Sequence, residues 1–309
     1  MRRIVIDCDP GIDDAQAIMM AYCHPDIKIE AITTVSGNVG VEHTSVNALK
    51  ILDVLDAEPI PVYAGAASGL VIEGQNASYV HGEDGLGGVD IPESKRKLED
   101  KPAALALIDL ARQNPGELEL IAIGPLTNLA LALRLDPELP SRYKKLVIMG
   151  GAHFAQGNTP NYSAEFNLYA DPDAAAVVFA NWPKFSMISW EATIAHGMPI
   201  DDFTALFSFG NKRSKFLQAI TKHTIKFLRE VLNREMSFAA DPLAMAVLME
   251  PEIVEEVAEK YVQIERTGEL SRGMTVIDWW GMSKKAPNVE IILKVNQKRF
   301  YELLKNAFE

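Results

Sequence analysis

The chain has 309 residues, 48% of them hydrophobic and 23% charged, with a formal net charge of −12. Such a composition supports a sizeable globular core, and the acidic balance argues against nucleic acid or an anionic membrane as partner, because both recruit basic surfaces. The two cysteines, Cys8 and Cys23, have no CxxC partner, which argues against a disulfide framework or a zinc ribbon.

Residues 4–6 (IVI) predict a first strand, and 15–22 continue in helix-forming residues. Aspartates follow the first strand at once, so the N-terminus lacks the apolar stretch of a signal peptide. No apolar run reaches the ~18 residues of a membrane span, and a cytoplasmic location is expected. Residues 27–35 alternate apolar and polar like a half-buried strand, while 41–55 place Val41, Ala48, Leu49, Leu52 and Leu55 near one helical face. A strand at 60–63, a helix at 102–112, a strand at 118–123, a helix at 126–135 and a strand at 145–149 continue the alternation. Beyond Pro199 the chain reads as mainly helical to Met249, with strands returning within 262–277 and at 289–295. Two stretches break the rhythm, the glycine-rich 65–90 and the polar 150–163, and long loops inside compact domains are often functional. The pattern predicts an α/β fold: a mostly parallel, Rossmann-like open sheet with helices on both faces, plus an additional helical region, in a single domain over 1–309.

The most informative segment is 4–17, IVIDCDPGIDDAQA. Asp7 and Asp9 lie two apart at the end of the strand and are expected to share a face. Pro10-Gly11 turns the chain, and Asp13-Asp14 open the next helix. Four carboxylates are therefore expected to converge at the carboxyl edge of the first strand, where open α/β sheets bind ligands. Like charges this close call for a cation or retained protons, and a hard divalent ion with oxygen ligands is the economical solution. The plain alternative, that Asp13 and Asp14 favour the helix dipole, leaves Asp7 and Asp9 unaccounted for.

The pattern DxDPGxDDAxA at 7–17 resembles the signature of the nucleoside hydrolase family, inosine-uridine-preferring type. Residues 34–38 (TVSGN), 81–88 (HGEDGLGG), 123–128 (IGPLTN), 149–151 (MGG), 165–167 (EFN) with Asp171-Pro172, and Asp241-Pro242 are similar to that family's later motifs and follow in its order. The resemblance implies calcium-dependent hydrolysis of the N-glycosidic bond of ribonucleosides, giving ribose and free base, in nucleoside salvage. It implies that Asp9, Asp14, Asp241 and the main-chain carbonyl of Ile123 ligate Ca²⁺, with Asp9 also taking a proton from the metal-bound water. Asp13, Asn38, Asn158, Glu165, Asn167 and Asp241 would grip the ribose hydroxyls, although the stretch from Asn158 to Glu165 is one residue longer than the usual spacing. His81, on the glycine-rich loop, is read as lining the site. A homo-oligomer, dimer or tetramer, is also implied. The assignments suit the chemistry, since hydroxyls match carboxylates and amides and nearby carboxylates stabilise an oxocarbenium-like transition state.

One departure stands out. Ala240 precedes Asp241 where many family members carry histidine, a group able to protonate the leaving base, and others tryptophan. Substitutes for that acid are sought in His81 or His223. Trp279-Trp280 offer faces for stacking on a base or for packing. Two rival readings remain: a ribose-binding protein with little turnover, motivated by Ala240, and an aspartate-dependent phosphatase, motivated by DxD after a first strand.

Overall fold

In the computed structural model, which describes residues 1–72 and 76–309, eight strands form one sheet. They are β1 (Arg2–Cys8), β2 (Ile27–Thr34), β3 (Val62–Ala64), β4 (Leu118–Ala122), β5 (Lys145–Met149), β6 (Phe185–Ile188), β9 (Val254–Lys260) and β12 (Val289–Val295). Two antiparallel ribbons pair β7 (Met198–Pro199) with β8 (Met236–Ser237) and β10 (Val262–Ile264) with β11 (Thr275–Ile277). The sheet order is β3-β2-β1-β4-β5-β6-β12-β9, parallel except that the edge strand β9 runs against β12.

The central strands are apolar on both sides because helices cover both faces. In β1, Ile4 and Ile6 join a core with helix α1 (Ile12–Cys23), the Ala240–Met249 helix and the C-terminal Gln297–Phe308 helix. Val5 points the other way, into a second core with the Ala103–Gln113, Thr127–Leu135 and Pro172–Asn181 helices. All ten residues of Ala240–Met249 are buried, as a helix apolar all round requires. Among the described residues no helix is long and apolar enough to cross a membrane.

The strand order reverses at β1: β2 and β3 lie on one side, β4 and the rest on the other. The crevice for a ligand therefore opens beyond the carboxyl ends of β1 and β4. Asp7 pairs with Thr33 of β2 and Ala122 of β4, so the chain leaves β1 at Asp9 beside Gly124, one residue past Ile123.

The expected alternation agrees with these elements, including helix α2 (Val41–Val54) and the strands β5 and β12. The span 262–277 holds two short strands, in keeping with the strands expected there. The glycine-rich stretch contains a short helix, α3 (Ser78–His81), and its residues 73–75 lie outside the described residues. Strand β9, VEEVAEK, escapes a pattern search because it is an exposed edge, and the charges that guard such an edge erase the apolar signal.

Candidate active site

A cavity of about 620 Å³ opens at the carboxyl edge of the sheet. Its floor starts where β1 ends. The carboxylate of Asp14, in the first turn of α1, accepts from the N–H groups of Gly11 (2.9 Å) and Asp9 (3.2 Å) and from Asn38 Nδ2 (3.1 Å). Asp9 Oδ2 accepts from the Asn38 N–H at 2.7 Å, and Asn38 Nδ2 also donates to the Asp9 carbonyl at 3.1 Å. Asp9 Oδ1 and Asp13 Oδ1 are buried without a hydrogen-bond partner among the described residues. Two glycines make room for this arrangement. A methyl group at Gly124 would sit 2.6 Å from Asp9 Oδ1, and one at Gly37 would collide with Asp9 Oδ2. The glycines of TVSGN and IGPLTN thus serve the same carboxylate.

The floor is electrostatically costly without a counter-charge. Burial, followed by the neighbouring aspartates, pushes Asp9 and Asp241 well above the usual carboxylate range. Asp14 rises to about 7, first through burial and then through the charge of Asp13, against the pull of its backbone donors. Oxygens of Asp13, Asp14 and Asp241 lie within 4.8 Å of one another. The Ile123 carbonyl accepts from Asn167 Nδ2 at 3.1 Å and keeps a second lone pair. Unpartnered carboxylate oxygens with an all-oxygen donor set fit a hard divalent cation and suit neither zinc nor copper.

Asp7 does not share this floor, contrary to the expected convergence of four carboxylates. Its Oδ1 accepts from Thr33 Oγ1 (2.5 Å) and Asn128 Nδ2 (2.9 Å), which ties it to β2 and the Thr127–Leu135 helix. Burial lifts it to about 7. The sheet's twist and the turn at Pro10-Gly11 separate two residues that strand periodicity alone would align.

The opposite rim comes from the loop after β5. Glu165 caps the Phe166–Ala170 helix, accepting from Asn167 N–H (2.9 Å) and Leu168 N–H (3.3 Å), and also from Gly151 N–H (3.0 Å). Burial raises it to about 7 despite these donors. Asn167 Nδ2 bridges the carbonyls of Ile123 and Met149, tying β4 to β5. Asn158 lines the cavity too, its N–H donating to Ala164 O at 3.1 Å. Tyr162, at φ +62°, accommodates the turn between them.

His81 also lines the cavity. Its Nδ1 accepts from the Ile12 N–H at 3.1 Å, which leaves the proton of a neutral ring on Nε2. Burial lowers its pKa, with Asp13 opposing, so the imidazole is neutral at physiological pH. His223 faces the carbonyl of Tyr79 instead, at 3.3 Å, and is not among the lining residues. Trp279 stacks on Phe154 with ring centroids 5.4 Å apart, and Trp280 is 90% exposed; neither lines the cavity.

The remaining wall is mainly apolar and carries no motif, although Thr221, Thr224, Arg234 and Ser237 also line it. Phe203, Ile225, Phe227, Leu228, Leu232 and Phe238 supply it, with Ala240 at the junction with the floor. Gln16 of α1 also lines the cavity and is specified by no motif. The signal was present, a lone polar side chain inside the apolar run AQAIMMA, all of which is buried.

Residues 4–302 match the family model described as inosine-uridine preferring nucleoside hydrolase. The non-specific ribonucleoside hydrolase RihC of Escherichia coli is 40% identical over 299 residues, covering 97% of this chain and 95% of the relative. The inosine-uridine preferring nucleoside hydrolase of Leishmania major is 36% identical over 314 residues, covering 100% and 98%. Among solved structures, a plant nucleoside hydrolase superposes with a TM-score of 0.92 at 32% identity, covering 99% of this chain and 98% of that one. An inosine-guanosine nucleoside hydrolase gives 0.91 at 33%, with the same coverage.

Proposed function

The chain belongs to the inosine-uridine preferring nucleoside hydrolase family, and on that premise we propose that it hydrolyses the N-glycosidic bond of ribonucleosides in a calcium-dependent manner. The observation that carries the reading is the buried floor, where Asp9 Oδ1 and Asp13 Oδ1 lack partners among the described residues beneath a cavity of about 620 Å³. Unpaired buried carboxylate oxygens are costly unless a ligand or ion completes them. Family membership removes the support for the phosphatase alternative.

Asp9, Asp14, Asp241 and the Ile123 carbonyl would hold the cation. When bound, a hard divalent ion offsets the carboxylate charge and acidifies a coordinated water. The chain's own residues do the rest. Asp13, Asn38 and Asp241 on one side, with Asn158, Glu165 and Asn167 on the other, hold the ribose hydroxyls, each a donor and an acceptor. Asp9 Oδ1 takes a proton from the attacking water. As the bond to the base lengthens, positive charge grows on the sugar ring, and the surrounding carboxylates stabilise it. Gly37 and Gly124, where any side chain would collide with the Asp9 carboxylate, leave that group room to act. Assembly into a dimer or tetramer is carried over from the resemblance, and light scattering would test it.

The test is a panel of purine and pyrimidine ribonucleosides followed by release of free base, before and after chelation. Activity should vanish on chelation and return with calcium. Full activity in a demonstrably metal-free preparation would overturn the cation dependence. Tight ribose binding without base release from any substrate would favour the non-catalytic reading that Ala240 motivates.

A further inference from the structure

Gln16 lies one turn into α1, where its neighbours Ala15, Ala17, Ile18, Met19 and Met20 are all buried. It is 2% exposed, and its Oε1 is buried without a hydrogen-bond partner among the described residues. Buried side-chain amides are hydrogen-bonded in the large majority of cases, so an orphan calls for an explanation. Gln16 lines the same cavity as Asp13, Thr221, Ala240 and Asp241. Of the donors lining the same cavity, Thr221 Oγ1 spends its proton on the Leu217 carbonyl at 2.6 Å and Asn38 Nδ2 donates to Asp9 and Asp14. The helices that bring them together, α1 and Ala240–Met249, pack along each other. Gln16 Nε2 likewise donates to none of the described residues, and Ala240, which lines the cavity with it, carries no polar group, so the donor of this amide is free for a ligand.

We propose that Gln16 binds the nucleobase and stabilises it as it departs, its amide donating a hydrogen bond to the base atom on which negative charge develops. The inference rests on the nucleoside hydrolase reading and deepens it. An amide does not transfer a proton at neutral pH, so Gln16 acts as a fixed dipole and not as a general acid. The bond between C1′ and the base nitrogen breaks, and its electron pair stays on the base. The oxygen of one water bonds to C1′, a proton of that water goes to Asp9, and solvent protonates the released base. A side-chain amide offers a donor beside an acceptor, so it matches a base edge that carries the complementary pair, as glutamine matches adenine.

The test compares the wild-type enzyme, loaded with calcium, with Gln16→Met and Gln16→Glu on inosine, uridine and p-nitrophenyl riboside. Methionine keeps the length and removes the donor. We expect kcat on inosine or uridine to fall by about 10²-fold, as on loss of one preorganised donor. The nitrophenyl riboside, whose leaving group needs no help, should be little changed. Gln16→Glu should slow the natural nucleosides further, because it sets a negative charge beside a developing anion. The melting temperature of Gln16→Met should equal or exceed that of the wild type, since an unpaired buried amide is replaced by an apolar group. Equal slowing of both substrate types in Gln16→Met, or no slowing of either, overturns the role of Gln16. Failure of the wild type to release base from any of the three overturns the nucleoside hydrolase reading instead.

Discussion

The floor of the cavity hangs from the carboxyl ends of β1, β2, β4 and β5, whereas its wall comes from segments between Trp190 and Phe238 that lie outside the main sheet. On the floor and its rim, Asp9, Asp14, Asn38, Glu165 and Asn167 are held by hydrogen bonds to one another or to the backbone. Asn38 alone makes three hydrogen bonds to Asp9 and Asp14, and glycines at 37 and 124 admit no side chain. The wall has no such lattice. It is mainly apolar, with Thr221, Thr224, Arg234 and Ser237 as its polar members, and part of it is open, with Leu232 46% exposed and Ile194 38% exposed. A floor built this way has one acceptable geometry, while a wall built this way accepts several shapes. The sugar should therefore be recognised strictly and the base loosely.

The largest expected effect tests that contrast directly. A 2′-deoxynucleoside removes a hydroxyl from a floor built to bind it and leaves buried polar groups unpaired. The specificity constant should fall by ~10⁴-fold, whereas swapping one base for another against an apolar wall should cost roughly 10- to 200-fold. Similar values for inosine and deoxyinosine would erase the distinction between floor and wall.

Next in size is the fit around Asp9. Gly124→Ala would put a methyl group 2.6 Å from Asp9 Oδ1 and 3.0 Å from its N–H nitrogen. Something must shift, and a displacement of about 1 Å at a reacting group costs on the order of 10²-fold in rate. The variant should fold, bind nucleoside and turn over slowly. Wild-type kcat in Gly124→Ala would show that the floor is more forgiving than its packing suggests.

A third effect concerns pH. Asp14 and Glu165 are raised to about 7 from ordinary values of 3.8 and 4.5, chiefly by burial. Between those limits the folded, metal-free chain holds more protons than the unfolded chain, so these groups make stability fall as pH rises from about 4 to about 7. A cation binds the ionised carboxylates, and it competes with protons over the same window. Calcium at a hundredfold excess over its dissociation constant stabilises by about 2.7 kcal/mol, which is roughly 5 °C for a chain of this size. That rise in melting temperature should be small near pH 5 and full near pH 8. A calcium shift that does not change across this range would mean that the floor is already ionised.

How much of this could be read from the sequence follows the same division. Asp9, Asp14, Asn38, Glu165 and Asp241 stand in short motifs because each is fixed to a strand end or a helix start, where local spacing determines position. Asp7 shows the limit of such reasoning: two residues from Asp9, it is taken up by Thr33 and Asn128, partners 26 and 121 positions away. The wall was not legible, since an apolar residue on a helix looks the same whether it faces a core or a cavity. Gln16 falls between these cases. Its polarity in an apolar run was visible, but its lack of a partner is a property of the packed helices.

The smallest effect belongs to the wall itself. Leu232 is half exposed at the cavity, so Leu232→Ala leaves no sealed void and should barely alter folding. Its lost contact with the base is worth about 1 kcal/mol at ordinary values for apolar area, or roughly a fivefold rise in KM. The same contact exists before and during bond cleavage, so kcat should not move. Purine substrates, which cover more of the wall, should lose more than pyrimidines. Steady-state kinetics on inosine and uridine would settle the matter. A large fall in kcat at constant KM would mean that Leu232 helps to shape the transition state, and the wall would then be as exacting as the floor.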